Sequence, residues 1–95
     1  MEPTAREVLE RAKWSLETYG ISRGSFESPT DNSAIKKKDT VAALRIASLG
    51  NEDSYQAARE ALCQCADTTL LPKWNDESDD ETILSTFDQA ILQLA

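Results

Sequence analysis

Apolar residues recur along this chain with the spacing of an α-helix, and this spacing constrains the fold more than any other feature. The first such segment opens with Thr4 and Glu7, which match a capping box, and ends at Gly20. Its apolar face consists of Ala5, Val8, Leu9, Ala12, Leu16 and Tyr19. No run of alternating apolar and polar residues competes with this pattern, so we expect an all-α protein.

Three more helices are expected after a turn-rich loop at about residues 20–33. The helix predicted from residue 34 to residue 49 is apolar around most of its girth, so its neighbours should surround it. Its apolar residues after position 40 include Val41, Ala42, Leu44, Ile46 and Leu49. The third helix starts near Asp53 and ends before Pro72, and the fourth opens with a capping box at Ser78. Residues 1–95 are thus predicted to form one domain, a small bundle of about four helices packed around a central apolar helix.

The chain is acidic, with 17 Asp and Glu residues against 10 Lys and Arg residues and a net charge of −7. This charge repels nucleic-acid phosphates, and the only basic run is Lys36-Lys37-Lys38, so direct nucleic-acid binding is not expected. The sequence contains neither an apolar stretch of about 18 residues nor a signal-peptide pattern. We therefore expect a cytoplasmic protein that does not interact with a membrane.

The residue types that most catalytic sites need are absent or few. There is no histidine, which excludes Ser-His and Cys-His nucleophile pairs and most zinc sites. Cys63 and Cys65 are too few for a zinc site and are expected to be reduced packing residues. The carboxylates after Asn75 lack the spacing of an EF-hand, because Phe87 falls where the last calcium ligand belongs. No catalytic residue, metal ion or cofactor is predicted.

The segment after Pro72 is the predicted partner-binding site, because it joins an aromatic residue to a dense run of carboxylates. It consists of Trp74, Asn75 and five residues that we call the acidic corner: Asp76, Glu77, Asp79, Asp80 and Glu81. The helix dipole explains one or two acidic residues at a helix N-terminus, whereas five repel one another. A partner with a basic surface would relieve that repulsion. Trp74 is interpreted either as a plug that closes the bundle or as a binding anchor.

Trp14 lies nearly opposite the apolar face of the first helix, among Glu10, Arg11 and Glu17. An indole on a polar face needs a cover, and two alternatives are open. Either the loop at about 20–33 folds over it, or Trp14 is an exposed hot-spot residue that binds another protein. An exposed Trp14 is also consistent with a homodimer.

Two motifs in the second half of the chain match a known family pattern. Trp74-Asn75-Asp76 is followed eleven residues later by Phe87-Asp88-Gln89-Ala90-Ile91. With these motifs the chain resembles an uncharacterised domain family of small helical proteins from bacterial and phage genomes, over nearly its whole length. It differs from the family pattern at Asp39 and Ala42, where the pattern has Cys and Gly. The resemblance implies no activity, because no function or catalytic residue is assigned to that family.

The leading functional prediction is a non-enzymatic interaction protein that binds another protein through Trp74, Asn75 and the acidic corner, helped by Trp14. An alternative is an inhibitor that imitates nucleic acid and blocks a host defence protein, of the anti-restriction or anti-CRISPR class. Carboxylates in rows at phosphate-like spacing would favour this alternative. A metal-dependent enzyme is the third interpretation, and it requires carboxylates that converge in a pocket.

Overall fold

The computed structural model describes residues 3–21 and 39–94, and every regular element in these ranges is an α-helix. The five helices are α1 (Ala5–Tyr19), α2 (Thr40–Ala47), α3 (Glu52–Ala66), α4 (Leu71–Glu77) and α5 (Asp80–Gln93). The all-α prediction is confirmed, with five helices in the described ranges instead of about four. None of them is long and apolar enough to cross a lipid bilayer. Most of the predicted loop, at 22–33, and residues 34–38 with their three lysines lie outside the described residues.

α1 begins and ends where the sequence predicts. The Thr4 hydroxyl accepts the Glu7 N–H and the Glu7 carboxylate accepts the Thr4 N–H, each at 3.1 Å, which completes the capping box. The backbone hydrogen bond from Thr4 holds the pKa of the Glu7 carboxyl below its ordinary value. At the other end Gly20 has a φ of 98°, a conformation that suits glycine, and its N–H bonds to the Leu16 carbonyl.

α2 is shorter than predicted and is buried on one face. Asp39 has an extended backbone and its carboxylate accepts the Ala42 N–H at 2.7 Å, so the helix begins at Thr40. The buried residues of the helix are Thr40, Ala43, Leu44 and Ala47. Leu49 was predicted on a covered side of this helix, but it lies beyond the helix end with a φ of 54° and is 68% exposed. The expectation that neighbours cover both apolar sides of α2 is therefore wrong at Leu49.

The segment between α3 and α5 differs from the prediction. It was expected to be a connector, but it forms α4, with Pro72 in the first turn, where the missing proline N–H is not needed for helix bonding. α4 ends at Ser78, because the Ser78 backbone is extended; the Ser78 N–H makes the last hydrogen bond of the helix, to the Trp74 carbonyl. The cap of the last helix is therefore Asp79 and not Ser78, and its carboxylate accepts the Thr82 N–H at 2.8 Å.

The helices share one hydrophobic core. α1 packs against α2, α3 and α5, α2 also packs against α3 and α4, and α3 packs against α5. Phe87 of α5 is the largest completely buried side chain among the described residues. The other apolar core residues are Val8, Leu9, Ala12, Leu16, Ile21, Ala43, Leu44, Ala47, Tyr55, Ala58, Ala61, Leu62, Leu71, Ile83 and Ala90. Since full burial of a Leu or Phe side chain contributes about 1.5–3 kcal/mol, this core is the main source of stability.

Candidate functional site

The acidic corner lies where α4 ends and α5 begins, and all five of its side chains are exposed. Asp76 and Glu77 belong to the C-terminal part of α4, and Asp79 caps α5. Asp80 and Glu81 follow in the first turn of α5, where acidic side chains complement the helix dipole. The five predicted carboxylates therefore lie at the surface of one helix junction.

Among the described residues, Lys73 forms an exposed ion pair with Glu77 of the acidic corner. The Lys73 Nζ lies 3.9 Å from the Glu77 Oε1, one helical turn away, and both side chains are exposed. A pair of this kind stabilises a helix by only about 0.3–0.5 kcal/mol and is weakened by salt. The fold therefore gains little from this contact.

Trp74 and Asn75 lie on the inner side of α4. Trp74 is half-buried and packs against the hydrophobic core, in agreement with its interpretation as a plug. Asn75 is completely buried, and its Oδ1 accepts the Thr40 N–H at 3.0 Å. This bond links α4 to the first residue of α2 and satisfies an N–H that has no acceptor within its own helix. Asn75 was predicted to contact a partner; its complete burial and its bond to Thr40 favour a structural role instead.

Helical spacing explains the burial of Asn75. Leu71 and Asn75 are four residues apart in α4, so they share a face of the helix, and both are completely buried. In a non-helical connector, which was predicted for this segment, residues four apart do not share a face. An assignment of residues 71–77 to a helix with Pro72 in its first turn would have placed Asn75 on the same face as Leu71, in the interior.

Trp14 borders an apolar groove between α1 and the end of α2. Its side chain is 58% exposed, and its ring meets the Tyr19 ring edge-on with the centroids 5.8 Å apart. The groove has a volume of about 290 Å³ and is lined by Arg11, Trp14, Ser15, Ile46, Ala47 and Leu49. We call it the Trp14 groove. Two alternatives were predicted for Trp14, a covering loop at about 20–33 or a role as an exposed residue that binds another protein. Residues 22–33 of that loop lie outside the described residues.

The sequence pointed to Trp14 but not to the groove, because Leu49 was assigned to the buried side of a helix. Leu49 and Gly50 have φ values of 54° and 81°, so the chain turns after α2 and leaves Leu49 at the surface. The signal for this turn is the dipeptide Gly50-Asn51, since Gly favours positive φ and Asn favours helix caps. Asn51 indeed caps α3, accepting the Ser54 N–H at 2.8 Å.

Among the described residues, neither the thiols nor the carboxylates form a recognisable chemical centre. Within residues 3–21 and 39–94, no group of three or more Cys, Asp and Glu side chains is arranged to hold a metal ion. Cys63 and Cys65 are free and half-buried against the core. Cys63 lines an open groove of about 750 Å³ beside Arg59. Burial raises the pKa of the Cys63 thiol, which disfavours the reactive thiolate form.

The residues of the C-terminal motif hold the helices together. Phe87 and Ala90 are completely buried in the core. The Asp88 Oδ1 lies 2.7 Å from the Lys13 Nζ, and this ion pair joins α5 to α1. The Asp88 carboxylate, by hydrogen bonding, raises the pKa of Lys13. Packing and helix contacts therefore account for Phe87, Asp88 and Ala90 of this motif.

Comparison with known proteins identifies a family but no characterised relative. No curated protein and no solved structure matches the chain. The model of a family of unknown function, DUF6197, matches residues 1–93, which is almost the entire sequence. The chain therefore belongs to DUF6197, a family whose function is unknown.

Proposed function

We propose that this protein is a non-enzymatic interaction protein of the cytoplasm that binds another protein with a basic surface. The observation that carries the proposal is the acidic corner, in which five carboxylates are exposed at a single helix junction. Trp74 and Asn75 support this surface from inside: the first packs on the core and the second bonds to α2. In this proposal the five carboxylates contact the partner, whereas Trp74 and Asn75 hold α4 in place.

A comparison with another helix of the chain supports the proposal, because helix capping needs fewer carboxylates than the acidic corner contains. The N-terminus of α3 has the same electrostatic requirement, and it is served by Asn51 as the cap with Glu52 and Asp53 in the first turn. At α5, Asp79 is the cap and two more carboxylates occupy the first turn. Asp76 and Glu77 lie on α4 and are not part of the α5 N-terminus. They add negative charge to a junction where Asp79 already caps α5 and two acidic side chains already complement its dipole. The surplus supports a role in binding.

A basic partner matches this surface physically. A cationic surface is attracted by exposed carboxylates that lie together at one junction. A concentrated negative patch also accelerates encounter with a positively charged partner, an effect that falls with ionic strength. Binding through this surface should therefore be fast and sensitive to salt.

The test is capture of partners from a nuclease-treated lysate of the source cells, at low and high salt. The bait is compared with a variant carrying Asp76→Asn, Glu77→Gln, Asp80→Asn and Glu81→Gln, which keeps the Asp79 cap. We expect a protein that the wild type retains at low salt, that high salt releases, and that the variant does not retain. DNA is then added as a competitor for that protein. If DNA competes with the chain, the proposal takes its more specific form, in which the chain is an inhibitor that imitates nucleic acid, as expected of a protein from a phage genome.

A matched control separates the position of the charges from their number. The variant with Glu52→Gln, Asp53→Asn, Glu60→Gln and Asp67→Asn removes the same number of charges from α3 and its C-cap, Asp67, including both acids of the first turn. Asn tolerates the left-handed conformation found at position 67, so the fold should be preserved. If both variants lose the partner equally, net charge is responsible and the assignment to the acidic corner is wrong.

A further inference from the structure

The open groove beside the C-terminal half of α3 has a volume of about 750 Å³, and we call it the α3 groove. The helix contributes Gln56, Glu60 and Gln64 to its lining, and the segment after the helix contributes Asp67 and Leu70. The volume lies within the range of about 300–1,000 Å³ that is usual for small-molecule sites. The α3 groove and the acidic corner share no residue, so the groove is a separate candidate site.

The charged groups of the α3 groove that have no partner are carboxylates. Within residues 3–21 and 39–94, neither Glu60 nor Asp67 forms an ion pair, and both residues are exposed. Arg59 also lines the groove, but its Nη2 donates a hydrogen bond to the Thr69 carbonyl at 3.1 Å, which ties α3 to the segment after it. With one arginine against one glutamate and one aspartate, the lining has a net charge of −1. The groove therefore favours a ligand that is positively charged.

The charge of Asp67 is unfavourable for the helix that this residue caps. Asp67 ends α3 with a φ of 56°, and its N–H bonds to the carbonyls of Cys63 and Gln64. The negative end of the α3 dipole lies here, and the last turn contains no basic side chain that would complement it. Asparagine adopts the same left-handed conformation without a charge. The helix therefore gives no reason for a carboxylate at this position, whereas a bound cation would be attracted by both the carboxylate and the helix end.

The spacing of the two carboxylates indicates the shape of the ligand. Glu60 and Asp67 are seven residues apart, which is two helical turns, so they lie on one side of α3 at about 10 Å from each other along the axis. A single ammonium group or metal ion does not span this separation. Leu70 of the same groove is 59% exposed and offers an apolar contact. We propose that the α3 groove binds an aliphatic polyamine, with Glu60 and Asp67 each accepting hydrogen bonds from an ammonium group and Leu70 contacting the methylene chain.

Isothermal titration calorimetry of the full chain with spermidine tests this proposal. Salt of about 0.15 M screens general attraction to the acidic chain, so the wild type should show saturable binding of one spermidine per chain. The variant with Glu60→Gln and Asp67→Asn should bind about tenfold more weakly or worse. The control variant with Asp76→Asn and Glu77→Gln removes the same number of charges from the acidic corner and should bind like the wild type. If the wild type does not bind spermidine, or if both variants lose binding equally, the proposal is wrong.

Urea unfolding of Asp67→Asn without any ligand tests the argument from the helix dipole. The variant should unfold at a higher urea concentration than the wild type, because it loses a negative charge at the negative end of α3 and keeps the left-handed conformation. A variant that unfolds at a lower urea concentration would show that Asp67 stabilises the fold, and it would contradict the assignment of this carboxylate to a ligand. Since the α3 groove and the acidic corner share no residue, each proposal can fail without the other.

Discussion

Replacement of Asn75 by alanine removes the hydrogen bond that joins α4 to α2. The Asn75 Oδ1 accepts the Thr40 N–H at 3.0 Å, and both residues are completely buried. In Asn75→Ala this N–H stays buried without that acceptor, because Thr40 is the first residue of α2 and has no carbonyl partner within the helix. The Thr40 hydroxyl already has no hydrogen-bond partner among the described residues. The substitution therefore adds a second unsatisfied polar group at the same place.

The expected cost follows from burial and hydrogen bonding. A buried N–H that loses its acceptor costs about 1–3 kcal/mol, and the shortened side chain leaves a small void that adds to it. We expect a loss of about 2–3 kcal/mol from a total stability of roughly 5–15 kcal/mol. For a domain of this size, 1 kcal/mol lowers the melting temperature by about 4–8 °C, so Asn75→Ala should melt on the order of 10–20 °C lower.

Thermal and urea unfolding, followed by circular dichroism, measure this loss. Lys73→Ala is the control on the exposed side of the same helix, and it should change stability by less than about 0.5 kcal/mol. If Asn75→Ala were as stable as this control, the structural role of Asn75 would be refuted. Asn75 would then return to the set of residues that contact a partner.

Two further predictions concern titratable side chains. Asp88→Asn should lower stability by roughly 0.5–1 kcal/mol at neutral pH, because it breaks the 2.7 Å ion pair with Lys13. The folded-state pKa of Lys13 is raised, so the stabilisation by this ion pair is complete below the ordinary lysine pKa and is lost as pH rises through the raised value. Urea unfolding at increasing pH should therefore show that the stabilities of wild type and variant converge only in strong alkali. Convergence near neutral pH would contradict this prediction. Cys63, tested in a Cys65→Ser background, should be alkylated several-fold more slowly in the folded chain than in urea, because burial raises its pKa. Equal rates would show that the Cys63 thiol is not protected.

The helices could be predicted where the signals for them are local. The capping box of Thr4 and Glu7 and the stop at Gly20 depend on residues within one turn, and both are present in the structure. The predicted last helix is likewise present as α5, and Ile83, Phe87 and Ala90 on its apolar side are buried. In these places sequence spacing alone determines which face packs on the core.

The features that could not be predicted depend on contacts between distant segments. The burial of Asn75 requires the N-terminus of α2, which lies 35 residues earlier in the chain. The exposure of Leu49 depends on the residue at which α2 ends, and helix boundaries are the part of a helix that sequence predicts least well. The acidic corner could be found from composition, but the separation of its exposed carboxylates from the buried Asn75 required the helical geometry of α4.

The affinity for the captured partner, measured by isothermal titration calorimetry at two salt concentrations, tests the central claim most directly. The three proteins to compare are the wild type, the four-fold variant of the acidic corner and the four-fold control variant of α3. The account predicts at least tenfold weaker binding for the corner variant, binding close to wild type for the α3 variant, and a salt dependence that is largely lost with the corner. Wild-type affinity and wild-type salt dependence in the corner variant would contradict it.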